Sequence, residues 1–211
     1  MDKIGVFCSS SNNMAPLYYK QVEALGKWMG QNGKTLVYGG ARKGLMETIA
    51  KAVKENGGRV FGVVPRKLFQ NCMVSDYIDV TFHCDGLSDR KQWLIGESDI
   101  MVALPGSIGT LDEAFSAMAE NTFGLHGKKV VFWNINGFWD DFFAMIEGLK
   151  AKGVMTKPFG EVMLKADSQL MDEVVVTGYG DFKKATYTGS ASVLNTDKLE
   201  SLPVVSVAQM M

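Results

Sequence analysis

The sequence predicts an α/β protein: a doubly wound, mostly parallel sheet flanked by helices, with an irregular C-terminal tail. Two observations carry this. Short β-branched runs alternate with amphipathic stretches of roughly ten residues or more, and that spacing requires crossover connections, which cover a parallel sheet on both faces. At 211 residues with 46% hydrophobic content, the chain is long enough to bury such a core.

In chain order, KIGVFC (3–8) reads as a buried strand and PLYYKQVEALGKWMGQNG (16–33) as an amphipathic helix closed by glycine. KTLVYGG (34–40) is a strand, GLMETIAKAVKENGG (44–58) a helix and RVFGVVP (59–65) a strand. SDRKQWLIGES (88–98) follows as a helix with Ser88 as its candidate cap, and DIMVALP (99–105) as the fourth strand. TLDEAFSAMAENTF (110–123), KKVVFWN (128–134), GFWDDFFAMIEGLKAKG (137–153) and EVMLKA (161–166) continue as helix, strand, helix and last strand. The pattern is Rossmann-like. In such sheets ligands lie beyond the carboxyl ends of the strands, where strand order reverses.

Composition narrows the partners. A net charge of -1 argues against duplex nucleic acid as the main partner. Three cysteines, Cys8, Cys72 and Cys84, fit a reduced intracellular protein better than a disulfide framework. The N-terminal MDKIGVFCSSSNN enters a strand at once, without signal-peptide character, and no stretch approaches the roughly 18 apolar residues of a membrane helix. A cytoplasmic protein without membrane contact is the expectation.

Three turns leaving strand ends are small or polar: CSSSNN (8–13), YGGARKG (38–44) and LPGSIGT (104–110). Glycine admits a ligand close to backbone, and amides at a helix start bind anions. Any one of these turns is explained as a plain strand-to-helix connection; three at one edge suggest a phosphate site. GSIGT is not GxGxxG, and GGARKGLM lacks the ending of a Walker loop, so the ligand class stays open at this point.

Two charged residues stand near these turns. With Thr110 as N-cap, T-L-D-E makes Glu113 the acid of an ordinary capping box. The other reading places its carboxylate toward a developing cation, such as a glycosidic carbon in an oxocarbenium-like transition state. Arg90 and Lys91 lie in a first helical turn, where the dipole disfavours cations by a few tenths of a kcal/mol. Arg90 is then either a solvated surface cation or a planar fork reserved for phosphate or carboxylate.

Arg90 and Lys91, followed after the strand by PGSIGTLDE, resemble the Arg-Lys and PGGxGTxxE signature of the LOG (Lonely Guy) family, cytokinin riboside 5'-monophosphate phosphoribohydrolases often labelled lysine decarboxylase-like. VFCSSS, VYGGARKGLM, GGRVFGVVP and FGLHGKKVVFWNINGFWDDFFAMIEGLKAKG are similar, in order, to its other blocks, so the resemblance covers about residues 3 to 166. It implies a Rossmann-like homodimer that hydrolyses the N-glycosidic bond of a nucleoside 5'-monophosphate, giving free base and ribose 5-phosphate. Arg90 and Glu113 would be the catalytic pair. Gly106, Ser107, Gly109 and Thr110 would surround the phosphate, with Lys91 beside them and Gly39 and Gly40 as a second wall. No metal or organic cofactor is implied. The competing reading is a Rossmann-like protein that binds a nucleotide or phosphorylated cofactor without chemistry.

Several positions depart from the family pattern. Ser107 stands at the second glycine of the signature, Ser9 at the glycine of CGSS, Ala41 at the third glycine of GGG and Glu47 at the glycine after GLM. Ser107 matters most, because it places a side chain where backbone approaches phosphate and where positive φ is one expectation. Glu120 sits where many members carry tryptophan near the base pocket.

The other candidates read as structural. His83 and Cys84 lack a second ligand pair at metal spacing, and His126 falls in a loop. Trp133, Phe138, Trp139, Phe142 and Phe143 suit a core or dimer contact. Lys43 and Lys91 are the lysines that a pyridoxal Schiff base would need, and nothing else in the sequence supports a decarboxylase.

The chain divides into residues 1–167 and a Val-, Ser- and Thr-rich tail, 168–211. The tail resembles the start of the plug region of Bacteroidetes SusC-like TonB-dependent receptors, including the TonB-box-like DEVVVTGYG. Lacking its own sheet partners, such a fragment is expected to be mobile or to add a strand to an available edge.

Overall fold

The computed structural model describes residues 1–66 and 73–155 in full, and the backbone of 161–166 and 174–178. Eight strands form one sheet in the order β4-β3-β2-β1-β5-β6-β7-β8. They are β1 (Lys3–Phe7), β2 (Thr35–Tyr38), β3 (Arg59–Pro65), β4 (Val80–Cys84), β5 (Ile100–Ala103), β6 (Val130–Asn134), β7 (Glu161–Ala166) and β8 (Val174–Gly178). The first seven run parallel, and β8 pairs antiparallel with β7. Helices α1 (Pro16–Gln31), α2 (Gly44–Glu55), α3 (Leu87–Glu97), α4 (Ile108–Thr122) and α5 (Asp140–Ala151) make the crossovers, and a 3-10 turn spans Ile135–Gly137.

The strands read as continuous apolar runs because alternate residues enter different cores. Ile4, Val6, Leu36, Tyr38, Ile100 and Val102 pack with Val22, Met29, Leu45 and Ile49 of α1 and α2. Their neighbours Phe7, Val37, Met101 and Ala103 pack with Leu94, Ala114, Met118 and Phe143 of α3, α4 and α5. Both faces of the sheet are therefore buried, as the parallel arrangement requires. Trp139 and Phe143 sit in the second core, where Phe132 stacks on Phe142 at 4.7 Å between centroids; the aromatic group is packing.

Three boundaries differ from expectation. VTFHC was not foreseen as a strand: β4 is an edge with one fully buried residue, Cys84, so it lacks an apolar run. LPGSIGT thus follows the fifth strand, not the fourth. The cap of α3 is Gly86, not Ser88, and the cap of α4 is Ser107, not Thr110; neither makes a side-chain cap hydrogen bond. Thr110 and Glu113 are interior to α4, which removes the capping-box explanation of Glu113. EVMLKA is the strand expected, and Val174–Gly178 adds a strand to its edge, one of the two outcomes expected of the tail. The rest of the plug-like stretch lies outside the described residues. Among the described residues no helix is long and apolar enough to cross a membrane.

Candidate active site

Strand order reverses between β1 and β5, whose neighbours run to opposite edges. A crevice opens there beyond the strand ends. The two departing chains are tied together: the Leu104 amide donates to Phe7 O at 2.9 Å and the Ser9 amide to Pro105 O at 3.1 Å. The cavity above them has a volume of about 500 Å³ and is lined by Cys8 to Ser11, Gly39, Lys43, Arg90, Ser107, Gly109, Thr110 and Glu113. That is ample for a nucleotide-sized ligand.

Two helix N-termini border the cavity, and they are not equivalent. At α2 the Gly44 amide donates to Asn12 Oδ1 at 2.9 Å and the Leu45 amide to Ser9 O at 3.0 Å. Its first donors are already used by the CSSSNN turn. At α4 the amides of Ile108, Gly109 and Thr110 have no carbonyl four residues back within the helix, and Leu111 is the first to bond, to Ser107 O. The end whose amides are left free to meet a ligand is therefore α4. Ser107 is extended at φ -111, so the side chain that replaces glycine needs no left-handed backbone, and the residue lines the cavity.

Arg90 and Glu113 come together. Arg90 Nη1 donates to Glu113 Oε1, and the side chains are only 13% and 6% exposed. Arg90 Nε also points at Val63 O, 3.4 Å away at the end of β3. Glu113 lies one turn after Thr110 on the inward face of α4, and both line the cavity. Burial pushes the Glu113 carboxyl above the ordinary glutamate range, and the Arg90 charge opposes that shift without cancelling it. Burial, reinforced by the Glu113 charge, likewise raises the Cys8 thiol, which stays protonated.

Of the residues expected to surround a phosphate, Ser107, Gly109, Thr110 and Gly39 line the cavity. Gly106, Gly40 and Lys91 do not. Gly106 is glycine because a Cβ there would overlap Thr110 Oγ1 and come within 2.7 Å of Thr110 Cβ. Gly40 has φ +78, and its Cβ would lie 2.5 Å from Val64 Cγ2, so it packs against β3 rather than forming a ligand wall. Lys91 Nζ pairs with Asp112 Oδ1 at 2.7 Å. Sequence reasoning missed the apolar side, formed by Met46, Pro65, Met73 and Leu87. Met73 sits outside any regular element and carries no pattern to reveal it. Among the described residues no group of three His, Cys, Asp or Glu side chains could hold a metal ion.

A family model described as "Possible lysine decarboxylase" matches residues 46–174. The chain is 34% identical over 151 residues to "Probable cytokinin riboside 5'-monophosphate phosphoribohydrolase LOGL9" of Oryza sativa, an alignment covering 72% of this chain and 66% of that protein. It therefore spans about two thirds of that relative's length. It is 30% identical to the cytokinin riboside 5'-monophosphate phosphoribohydrolase LOG of the same species, covering 78% of this chain and 68% of the relative. Among solved structures it is similar to the molybdenum cofactor binding protein from Rippkaea orientalis, with TM-score 0.57 and 26% identity over 70% of this chain and 85% of that one. With the match spanning most of the described chain and the Arg90 and Glu113 side chains meeting over the α4 turn, the chain belongs to the LOG family, whose model keeps the older decarboxylase description.

Proposed function

We propose that residues 1–167 hydrolyse the N-glycosidic bond of a nucleoside 5'-monophosphate, a cytokinin nucleotide or AMP, to free base and ribose 5-phosphate. The observation that carries the reading is the buried Arg90–Glu113 pair facing the same cavity as the unbonded amides of α4. A phosphate held by the Gly109 and Thr110 amides and the Ser107 hydroxyl leaves the ribose beside Glu113. As the C1'–N bond breaks, its electron pair leaves with the base nitrogen, which takes up a proton from solvent, the equivalent of the one that Glu113 afterwards gives back to solvent. Positive charge develops on the sugar, opposite the Glu113 carboxylate, which stabilises it and accepts the proton that water loses as its oxygen bonds to C1'. Arg90 favours the ionised form of that carboxylate against the effect of burial and aims it. The apolar side, Met46, Met73 and Leu87, suits the base.

The active form is a homodimer in this proposal. Ile108, Phe123 and Leu125, at the two ends of α4, are 79%, 83% and 72% exposed, and Trp93 of α3 is 39% exposed, which supports a second copy covering this side. The plug-like reading of residues 168–211 rests on the motif alone and adds nothing to the activity.

Incubation with AMP, with an N6-isopentenyl nucleotide, and separately with lysine and pyridoxal phosphate tests the reading. Free base from either nucleotide is expected. Nucleotide binding without base release would instead favour a carrier, the role named for the molybdenum cofactor proteins of similar fold.

A further inference from the structure

Gly39 follows β2 and borders the cavity. Its backbone does not have positive φ, so conformation alone does not demand glycine there. Space does. A Cβ at residue 39 would overlap Arg90 Nη2 and lie 3.2 Å from Arg90 Cζ, with Met46 Cε next at 3.3 Å. The guanidinium thus points its Nη2 end at the space where a Cβ of residue 39 would stand, with Nε directed at Val63 O and Nη1 on Glu113. It is bonded to β3 and α4, and Gly39, just after β2, leaves room for its remaining nitrogen.

We infer that Gly39 is a positioning residue, the slot that seats the Arg90 guanidinium against Glu113, and not a wall across which backbone approaches phosphate. This goes beyond the proposed hydrolysis and rests on it only for its kinetic arm. A methyl group in the slot pushes the far end of a flexible side chain and no backbone, so Gly39→Ala folds while Arg90 loses its seat. Arg90 is then no longer fixed on the carboxylate, and Glu113, still buried, loses its ionising partner.

The test compares wild type, Gly39→Ala, Arg90→Ala and the double variant by carbon-detected NMR titration of the Glu113 carboxyl, which needs no substrate. Gly39→Ala is expected to raise the Glu113 titration point in the same direction as Arg90→Ala, with no further rise in the double variant. Glu113 titrating in Gly39→Ala as in wild type overturns the inference. If Gly39→Ala unfolds, Arg90→Ala added to it restores folding, because the colliding group is gone; an unfolded double variant overturns the inference as well. In the kinetic arm Gly39→Ala lowers kcat/KM about 10²-fold, the scale of a misplaced catalytic group, and adds nothing to the loss caused by Arg90→Ala. Independent, additive losses point to backbone contact with substrate and overturn the assignment. Wild-type protein without turnover defeats the hydrolase reading and leaves the titration to decide the role of Gly39.

Discussion

Arg90 Nη1 donates to Glu113 Oε1 across two helices 23 residues apart in sequence, at a place where neither side chain is more than 13% exposed. A pair so deeply buried is a poor source of stability, because desolvating two ions costs several kcal/mol that their attraction only partly returns. Its value lies in what it does to the carboxylate. Burial raises the Glu113 titration range and Arg90 restrains the rise, leaving an acid whose ionisation depends on its neighbour.

The first prediction concerns pH. Glu113 must be ionised to face a cationic sugar, and in the free protein it holds its proton to higher pH than an ordinary glutamate. The acid limb of kcat/KM, which reports the free enzyme, is expected to have its midpoint above the ordinary value of about 4.3. A limb at or below that value in a pH series of initial rates would separate the rate from Glu113.

Gly106 supplies a second. Unlike a methyl at Gly39, a Cβ at Gly106 meets the root of a side chain, Thr110 Cβ at 2.7 Å, which cannot move without shifting the first turn of α4. Gly106→Ala is expected to cost about 1–3 kcal/mol in denaturant unfolding, the usual scale of overpacking. It should also weaken nucleotide binding, because the Gly109 and Thr110 amides move with the turn. Unchanged stability and affinity would mean that the turn is soft.

Asp99 gives a third prediction, remote from the site. Its Oδ2 accepts the Asp2 and Lys3 amides at 2.8 and 3.0 Å, pinning the start of β1. The Lys3 and Asp2 amides hold its carboxyl below the ordinary aspartate range. The resulting stabilisation is present above the unfolded-state value, about 3.9, and is lost as pH falls through the lower folded-state value. Asp99→Asn is therefore less stable than wild type at neutral pH, and thermal melts should converge once the pH is acidic enough to protonate Asp99 in the folded protein. A gap that persists in strong acid would rule out the charge as its origin.

The alternation of apolar runs with amphipathic helices was legible because a parallel sheet buried on both faces keeps neighbouring strand residues such as Leu36 and Val37 both apolar. Edge strand β4 was not, since Val80, Thr81 and Phe82 are only half-buried and imitate a loop. At the site, Arg90 and Glu113 were identified by the family pattern and not by spacing. The local reading of T-L-D-E as a capping box misplaced the start of α4 by three residues, because the cap is Ser107, which uses no side-chain bond to announce itself. Glycines were the least legible. Gly39, Gly40 and Gly106 look alike in sequence, yet each makes room for a different neighbour: Arg90, Val64 and Thr110. Those neighbours come from distant segments for the first two and from the following helix for the third.

The fourth prediction bears on the chemistry itself. Glu113→Gln keeps the shape and an oxygen for Arg90 while removing the charge, so the folded variant is expected to bind nucleotide within a few-fold of wild type. Single-turnover assays of base release, run at nucleotide concentrations that saturate both proteins, measure the step directly. Wild type should release base and ribose 5-phosphate while Glu113→Gln falls by about 10²-fold or more, the scale of a lost electrostatic stabiliser. Base release by a saturated Glu113→Gln at the wild-type rate would contradict the account.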